Sequence, residues 1–168
     1  MNFKKFFLLM LLISVCLPVR ADEFVAKEHS VKAAFLYNFA VYTDWPSLPD
    51  ASFKFCVLDS PAMLDALQII KVKQIKSHPV EVIALGGVAQ AAACQVLFVG
   101  TQAHVDLSGF AQTPLLVVAD EGLRDLNHVT IVMSRQQDRF AFRVNLTAAR
   151  AKSLQMSSKL LKLATRVD

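Results

Sequence analysis

Four short runs of this chain, FKFCVLD (53–59), VEVIAL (80–85), QVLFVG (95–100) and TPLLVVAD (113–120), are apolar at consecutive positions rather than at alternate ones. A strand apolar on both of its faces needs cover on both sides. Between the runs lie segments of helical or loop character, AMLDALQII (62–70), VAQAAAC (88–94) and HVDLSGFA (104–111). Continuous apolar strands separated by helices specify a largely parallel sheet covered on both faces. The expected fold is α/β, a Rossmann-like three-layer sandwich. Right-handed crossovers in the usual doubly wound order place the Cys56 strand beside the one that follows Cys94, with the Val80 strand at the edge.

The pattern changes after Gly122. TIVMS (130–134) and RFAFRV (139–144) flank RQQD, and in the second run Phe140, Phe142 and Val144 alternate with Arg139, Ala141 and Arg143. Strict alternation means one wet face, which predicts a C-terminal antiparallel hairpin at the sheet's edge. The closing NLTAARAKSLQMSSKLLKLATRV reads as two helical pieces, the second capped by Ser157 or Ser158. Arg150, Lys152, Lys159, Lys162 and Arg166 give it a basic flank of the solvated kind. The first helical segment, VKAAFLYNFAVYTDWP (31–46), is apolar almost all round, interrupted by Lys32 and Asn38. Such a helix is buried on more than one side. Trp45-Pro46 is expected to stop it, because a residue before proline is driven out of the helical region.

At the start of the chain, Lys4 and Lys5 precede an apolar run from Phe6 to Leu17 that is too short to span a bilayer comfortably and ends in Val19-Arg20-Ala21. This is the pattern of a cleavable signal peptide over 1–21, leaving 22–168 as a single exported, periplasmic domain without direct membrane insertion. Val15 before Cys16 argues against lipidation. Three of the 18 basic residues, Lys4, Lys5 and Arg20, leave with the signal and none of the 14 acidic ones does, so the mature balance is 15 against 14, or +1. That balance removes the main argument for nucleic acid. The 147 residues that remain suit one domain burying roughly 70% of its unfolded surface.

Export also bears on Cys56 and Cys94. In an oxidising compartment they are expected to form a disulfide, worth roughly 4 kcal/mol on the entropic account, the alternative being two buried thiols. No C-x-x-C spacing points to redox or zinc chemistry. A doubly wound sheet offers ligands a crevice at the carboxyl ends of its strands, where Asp59 and Asp120 stand, although turn formation and capping compete for such aspartates. There is no G-x-G-x-x-G, Walker loop or G-x-S-x-G elbow, and the four histidines lack ligand spacing. No catalytic, cofactor-binding or metal set is expected. Phe35, Leu36, Tyr37, Phe39, Tyr42 and Trp45 exceed what one sheet face absorbs, and aromatic side chains favour the centres of protein interfaces, the alternative being burial under the C-terminal helices.

The same residues resemble a known family. VKAAFLYNFAVYTDWP is similar to the opening helix of the YfiR family, with its Tyr-Asn-Phe-Ala and Trp-Pro elements. FKFCVLD and CQVLFVG resemble its cysteine-bearing strands, and RFAFRVNLTAARAKSLQMSSKLLKLA its closing segment. The likeness covers nearly all of 31–165. It implies a periplasmic regulator, a homodimer without cofactor or enzymatic activity, that binds the periplasmic domain of an inner-membrane diguanylate cyclase or sensor kinase. An outer-membrane lipoprotein would sequester it in turn, and cyclic-di-GMP and biofilm formation would be the output. Carried over by position, Cys56 and Cys94 match the structural cysteine pair. Tyr37, Asn38, Phe39, Trp45 and Pro46 match the helix signature, and Asn145, Ser157, Ser158, Leu160 and Leu161 the closing one. Two positions depart: Val41, where the family often has a basic residue, and Asn127-His128, where it has Gly-Gly. Asn127 is expected to supply a left-handed backbone there. The competing expectation is a periplasmic small-molecule-binding sensor module, with its ligand between Asp59 and Asp120 and Trp45 or Phe110 stacking on it.

Overall fold

The computed structural model describes residues 20–48, 51–136 and 139–168, with side chains from Ala26 onward. The expected signal segment lies outside the described residues as far as Arg20, where the first helix, α1 (Arg20–Val41), begins. The strand β1 (Thr43–Asp44) follows it, then β2 (Phe53–Leu58), α2 (Pro61–Leu67), a 3-10 turn at Gln68–Ile70, β3 (Gln74–Ile75) and β4 (His78–Leu85). The middle of the chain adds β5 (Val96–Val99) and β6 (Leu116–Asp120), each preceded by a 3-10 turn, at Val88–Ala93 and Ser108–Phe110. The last part comprises β7 (Ile131–Gln136), β8 (Arg139–Val144), α3 (Leu146–Ala151), β9 (Gln155–Met156), α4 (Ser158–Leu163) and β10 (Arg166–Val167).

The main sheet has eight strands in the order β10-β8-β7-β6-β5-β2-β4-β3. The run β4-β2-β5-β6-β7 is parallel, as continuous apolar strands require. Strands β7 and β8 form the antiparallel hairpin read from the alternation, with Phe142 opposite Met133 and Arg143 opposite Val132. Strand β10 lies outside β8 and parallel to it. Cys56 pairs in register with Leu97, so the Cys56 strand does adjoin the one after Cys94. The Val80 strand is next to the edge, with β3 outside it.

Helix α1 ends earlier than Trp45-Pro46 would make it. Thr43 turns its hydroxyl back to the Phe39 carbonyl at 2.7 Å, and Thr43-Asp44 leave the helix to pair with Met156 and Gln155 of β9. A β-branched residue that bonds its own helix backbone favours such an exit.

The three-layer expectation holds for one face of the sheet only. On that face α1, α2, α3 and α4 cover a core containing Phe53, Phe55, Phe98, Phe39 and Phe142. The rings of Phe39 and Phe142 lie 4.8 Å apart, and Trp45 meets Phe53 edge-on at 5.0 Å. Each such fully buried ring contributes about 1.5–3 kcal/mol from burial, with about 0.5–1.5 kcal/mol more per aromatic pair. The opposite face, lined by Leu97, Val99, Val117 and Ala119, is covered by loops and the two 3-10 turns. VAQAAAC has the composition of an α-helix but only six residues between the bend at Gly86-Gly87 and Cys94, which is bonded to Cys56. The tether overrides propensity. That disulfide joins residues 38 apart in sequence, with Cα atoms 6.1 Å apart.

Two further corrections concern single residues. Lys152, read as part of a solvated basic flank, is 0% exposed, and its ammonium donates to the Phe110 carbonyl. At Asn127-His128 the left-handed residue is His128, with φ 63°. Asn127 instead donates its backbone N–H to the Asp125 carboxylate at 2.8 Å, an Asx turn that leaves the next residue to make the reversal.

Candidate functional site

Burial divides α1 lengthwise. Ala33, Leu36, Phe39 and Ala40 face the core, at the spacing of one helical stripe. Ala26, Ser30, Ala34, Asn38 and Val41 lie on the opposite, exposed side. Beside that exposed side runs a groove of about 570 Å³, walled by Ala34, Tyr37 and Asn38 of α1 and by Ile69, Ile70 and Lys73 beyond α2. The Tyr37 hydroxyl donates to the Gln74 carbonyl at 3.2 Å, and the Lys73 ammonium sits 5.2 Å above the Tyr37 ring. These contacts hold the tyrosine in place along the groove.

The lining of the groove is mostly apolar and open, and includes Ser30, Asn38, Asp65 and Lys73. Ile69, part of that lining, is 72% exposed, and Val72, outside it, is 90% exposed. Met63, Leu67 and Ile70 fill the buried stripe of α2 and its 3-10 extension. That stripe leaves Ile69 and Val72 without core positions. Sequence alone does not single out either residue. The signal was present in QIIKVK, which carries two more aliphatic residues than the stripe can use. An exposed aliphatic side chain that lines a groove marks an interaction surface more often than an isolated one does.

The family-signature residues fall into two groups. Phe39 lies at the centre of the ring cluster formed with Phe35 and Phe142, and Trp45 packs on Phe53. Asn145 caps α3, its Oδ1 accepting the Ala148 N–H at 2.8 Å, and Ser157 caps α4 by accepting from the Leu160 N–H at 3.2 Å. Ser158 begins α4 and is exposed. Replacing such caps costs about 1 kcal/mol each. Tyr37 and Asn38 form the other group, lining the groove. Trp45 and Pro46 also border a second cleft, of about 640 Å³, with Asp44, Arg150 and Leu154. The Trp45 Nε1 is buried there without a partner among the described residues.

The two strand-end aspartates are not brought together. Asp59 follows β2, Asp120 ends β6, and β5 lies between them, which sets them on the order of 10 Å apart. Asp59 is exposed with φ 52°, and its backbone crowds Gly100, where an added Cβ would stand 2.0 Å from the Asp59 carbonyl oxygen. Position 100 therefore demands glycine. Asp120 is engaged by Lys32 of α1 at 2.9 Å, and Lys32 also reaches Glu28 at 2.8 Å. Arg135 of β7 adds a contact to Glu28 at 3.3 Å. The hydrogen bond from Lys32 holds the Glu28 carboxyl below its ordinary range. Burial pulls the Lys32 ammonium down, but its bonds to Glu28 and Asp120 outweigh burial and leave it raised. These charges fasten α1 to the carboxyl edge of the sheet.

Among the described residues no three His, Cys, Asp or Glu side chains gather as metal ligands, and no helix is long and apolar enough to cross a membrane. A family profile described as YfiR/HmsC-like matches residues 29–165. No protein of curated function matches the chain.

Proposed function

The chain belongs to the YfiR/HmsC-like family, and from that membership we propose that it is a periplasmic regulator that binds and represses an inner-membrane signalling enzyme, a diguanylate cyclase. In this reading the chain loses residues 1–21 on export and acts as one domain, 22–168. It contributes contact rather than chemistry. The docking face is the groove between α1 and the turn after α2. Tyr37 and Asn38 of the family signature line it together with the exposed Ile69. This juxtaposition is the observation that carries the proposal.

Repression by contact is a shift of equilibrium. The regulator favours the inactive arrangement of the cyclase's periplasmic domain only by the difference in its affinity for the two arrangements, and near-complete switching takes about 5.5 kcal/mol of such difference. Apolar anchors in a groove supply binding energy of that order when a partner desolvates them. Cyclic-di-GMP and biofilm formation are the output, and an outer-membrane lipoprotein that competes for the regulator would relieve repression.

The test is site-specific photo-crosslinking in intact cells from position 69, with position 163 on α4 as the control. Leu163 is also an exposed aliphatic residue, at 69%. The expected result is capture of an inner-membrane cyclase from position 69 and not from 163. Capture from both positions alike, or from neither, contradicts the assigned face.

A further inference from the structure

Strand β8 sends its residues alternately to the two faces of the sheet. Phe142 and Val144 enter the core under the helices, so Arg139, Ala141 and Arg143 stand on the opposite face. Across the hairpin they face Gln136, Ser134 and Val132 of β7. On the other flank, Arg166 of β10 is in parallel register with Arg143. Two arginines are thus set side by side on one face, their Cα atoms about 4.8 Å apart. Like charges in that relation destabilise a sheet. Charge on an outermost strand is the usual protection of an exposed edge, which accounts for Arg166. It does not account for Arg143, one strand further in and partly buried.

The two arginines wall a cleft of about 540 Å³, together with Ser134, Gln136 and Glu121. The Thr165 hydroxyl donates to the Phe142 carbonyl at 3.0 Å, which holds the turn that carries Arg166 against β8. The Glu121 N–H donates to the Met133 carbonyl at 2.9 Å and fixes the opposite wall. Lys32, Lys76, Arg135 and Arg166 each have a carboxylate partner. Arg143 has none among the described residues, and the Glu121 carboxylate forms no ion pair with it. Asp168 accepts from Nε of Arg166, which leaves the terminal nitrogens of that guanidinium open to a ligand.

We propose that this cleft binds a phosphoryl group, with Arg143 and Arg166 as paired clamps and the Ser134 hydroxyl and Gln136 amide as further donors. Guanidinium forks match the oxygens of carboxylates and phosphates, and one fork satisfies a carboxylate. Two forks at strand spacing, with a hydroxyl beside them, suit the larger set of oxygens on a phosphate. An anion between the guanidiniums also turns their mutual repulsion into a shared attraction. The cleft falls in the range of about 300–1,000 Å³ typical of small-molecule sites, so the phosphoryl group belongs to a phosphorylated small molecule or to a phospholipid headgroup. Glu121 works against the anion and limits how tightly it is held. The cleft shares no lining residue with the groove beside α1 and does not depend on the regulatory reading.

Titration calorimetry of the purified protein with glycerol 3-phosphate, at constant ionic strength, is the first arm of the test. Co-sedimentation with phosphatidylcholine vesicles that contain or lack phosphatidylglycerol is the second. Binding of glycerol 3-phosphate assigns a soluble phosphate ester, and binding only to the anionic vesicles assigns a headgroup. In either case Arg143→Gln is expected to weaken binding about tenfold or more, at unchanged thermal midpoint, because a charge-assisted pair is lost from an exposed face. Arg143→Lys, which keeps the charge without the fork, should recover only part of that loss. Glu121→Gln is expected to tighten binding, a gain that a misfolded variant would not produce. No binding in either arm, binding that Arg143→Gln leaves intact, or an equal response to succinate would overturn the proposal.

Discussion

The two faces of the sheet are held by different physics. The helix face buries large rings, with Phe39, Phe53, Phe55, Phe98 and Phe142 in one cluster under α1 and its neighbours. The disulfide face packs smaller side chains under loops and 3-10 turns, pinned by the Cys56–Cys94 bond. A face covered by helices is stabilised by burial, whereas one covered by irregular backbone gains from a constraint on the unfolded chain. Lys152 joins the two, since it leaves α3 on the helix face and bonds the Phe110 carbonyl on the other.

The contrast is broken most severely on the helix face. Phe39→Ala removes a fully buried ring and is expected to cost about 3–5 kcal/mol, read as a lower urea midpoint at unchanged slope. Replacing both Cys56 and Cys94 by serine is expected to cost less, about 2–4 kcal/mol. Hydrogen exchange sharpens that comparison: the amides of 88–111 should lose protection while those of α1 keep it. Equal loss on both faces would mean that the sheet answers as one unit.

Two smaller effects are read from pH. Burial pushes the Lys152 ammonium from 10.5 down to about 8. Between those values the unfolded chain binds a proton that the folded one does not, so this group makes stability rise with pH from about 8 toward 10.5. Lys152→Met should abolish the rise and leave the protein no less stable at pH 7, measured by thermal unfolding across that range. At the acid end Glu28 is held below its ordinary range by Lys32. Its contribution is present above the unfolded pKa near 4.5 and is lost as pH falls through the lower folded value. Glu28→Gln should therefore flatten the acid side of the curve by under about 1 kcal/mol, since the pair is partly exposed.

Much of the fold was legible because burial on both faces leaves its mark on sequence. FKFCVLD, QVLFVG and LLVVAD read as interior parallel strands, and RFAFRV as half of a hairpin. The cysteine pair followed from strand order and export. What was not legible depended on tertiary context. A six-residue tether made VAQAAAC a 3-10 turn, and the Thr43 hydroxyl ended α1 ahead of the proline. Packing hid Lys152, whose neighbours in sequence are ordinary surface residues. The aromatic excess of the opening helix was visible, but most of it serves the core. The groove owes its exposed aliphatic wall to Ile69, which only the path of the chain after α2 sets beside α1.

The proposed site of the protein's effect is this groove. It is tested by cyclic-di-GMP in cells that carry Ile69→Glu, Ala34→Glu or both, with protein abundance measured alongside. The expected result is a rise to the level of cells lacking the protein, at normal abundance of the double variant. Full repression by an abundant double variant would contradict it.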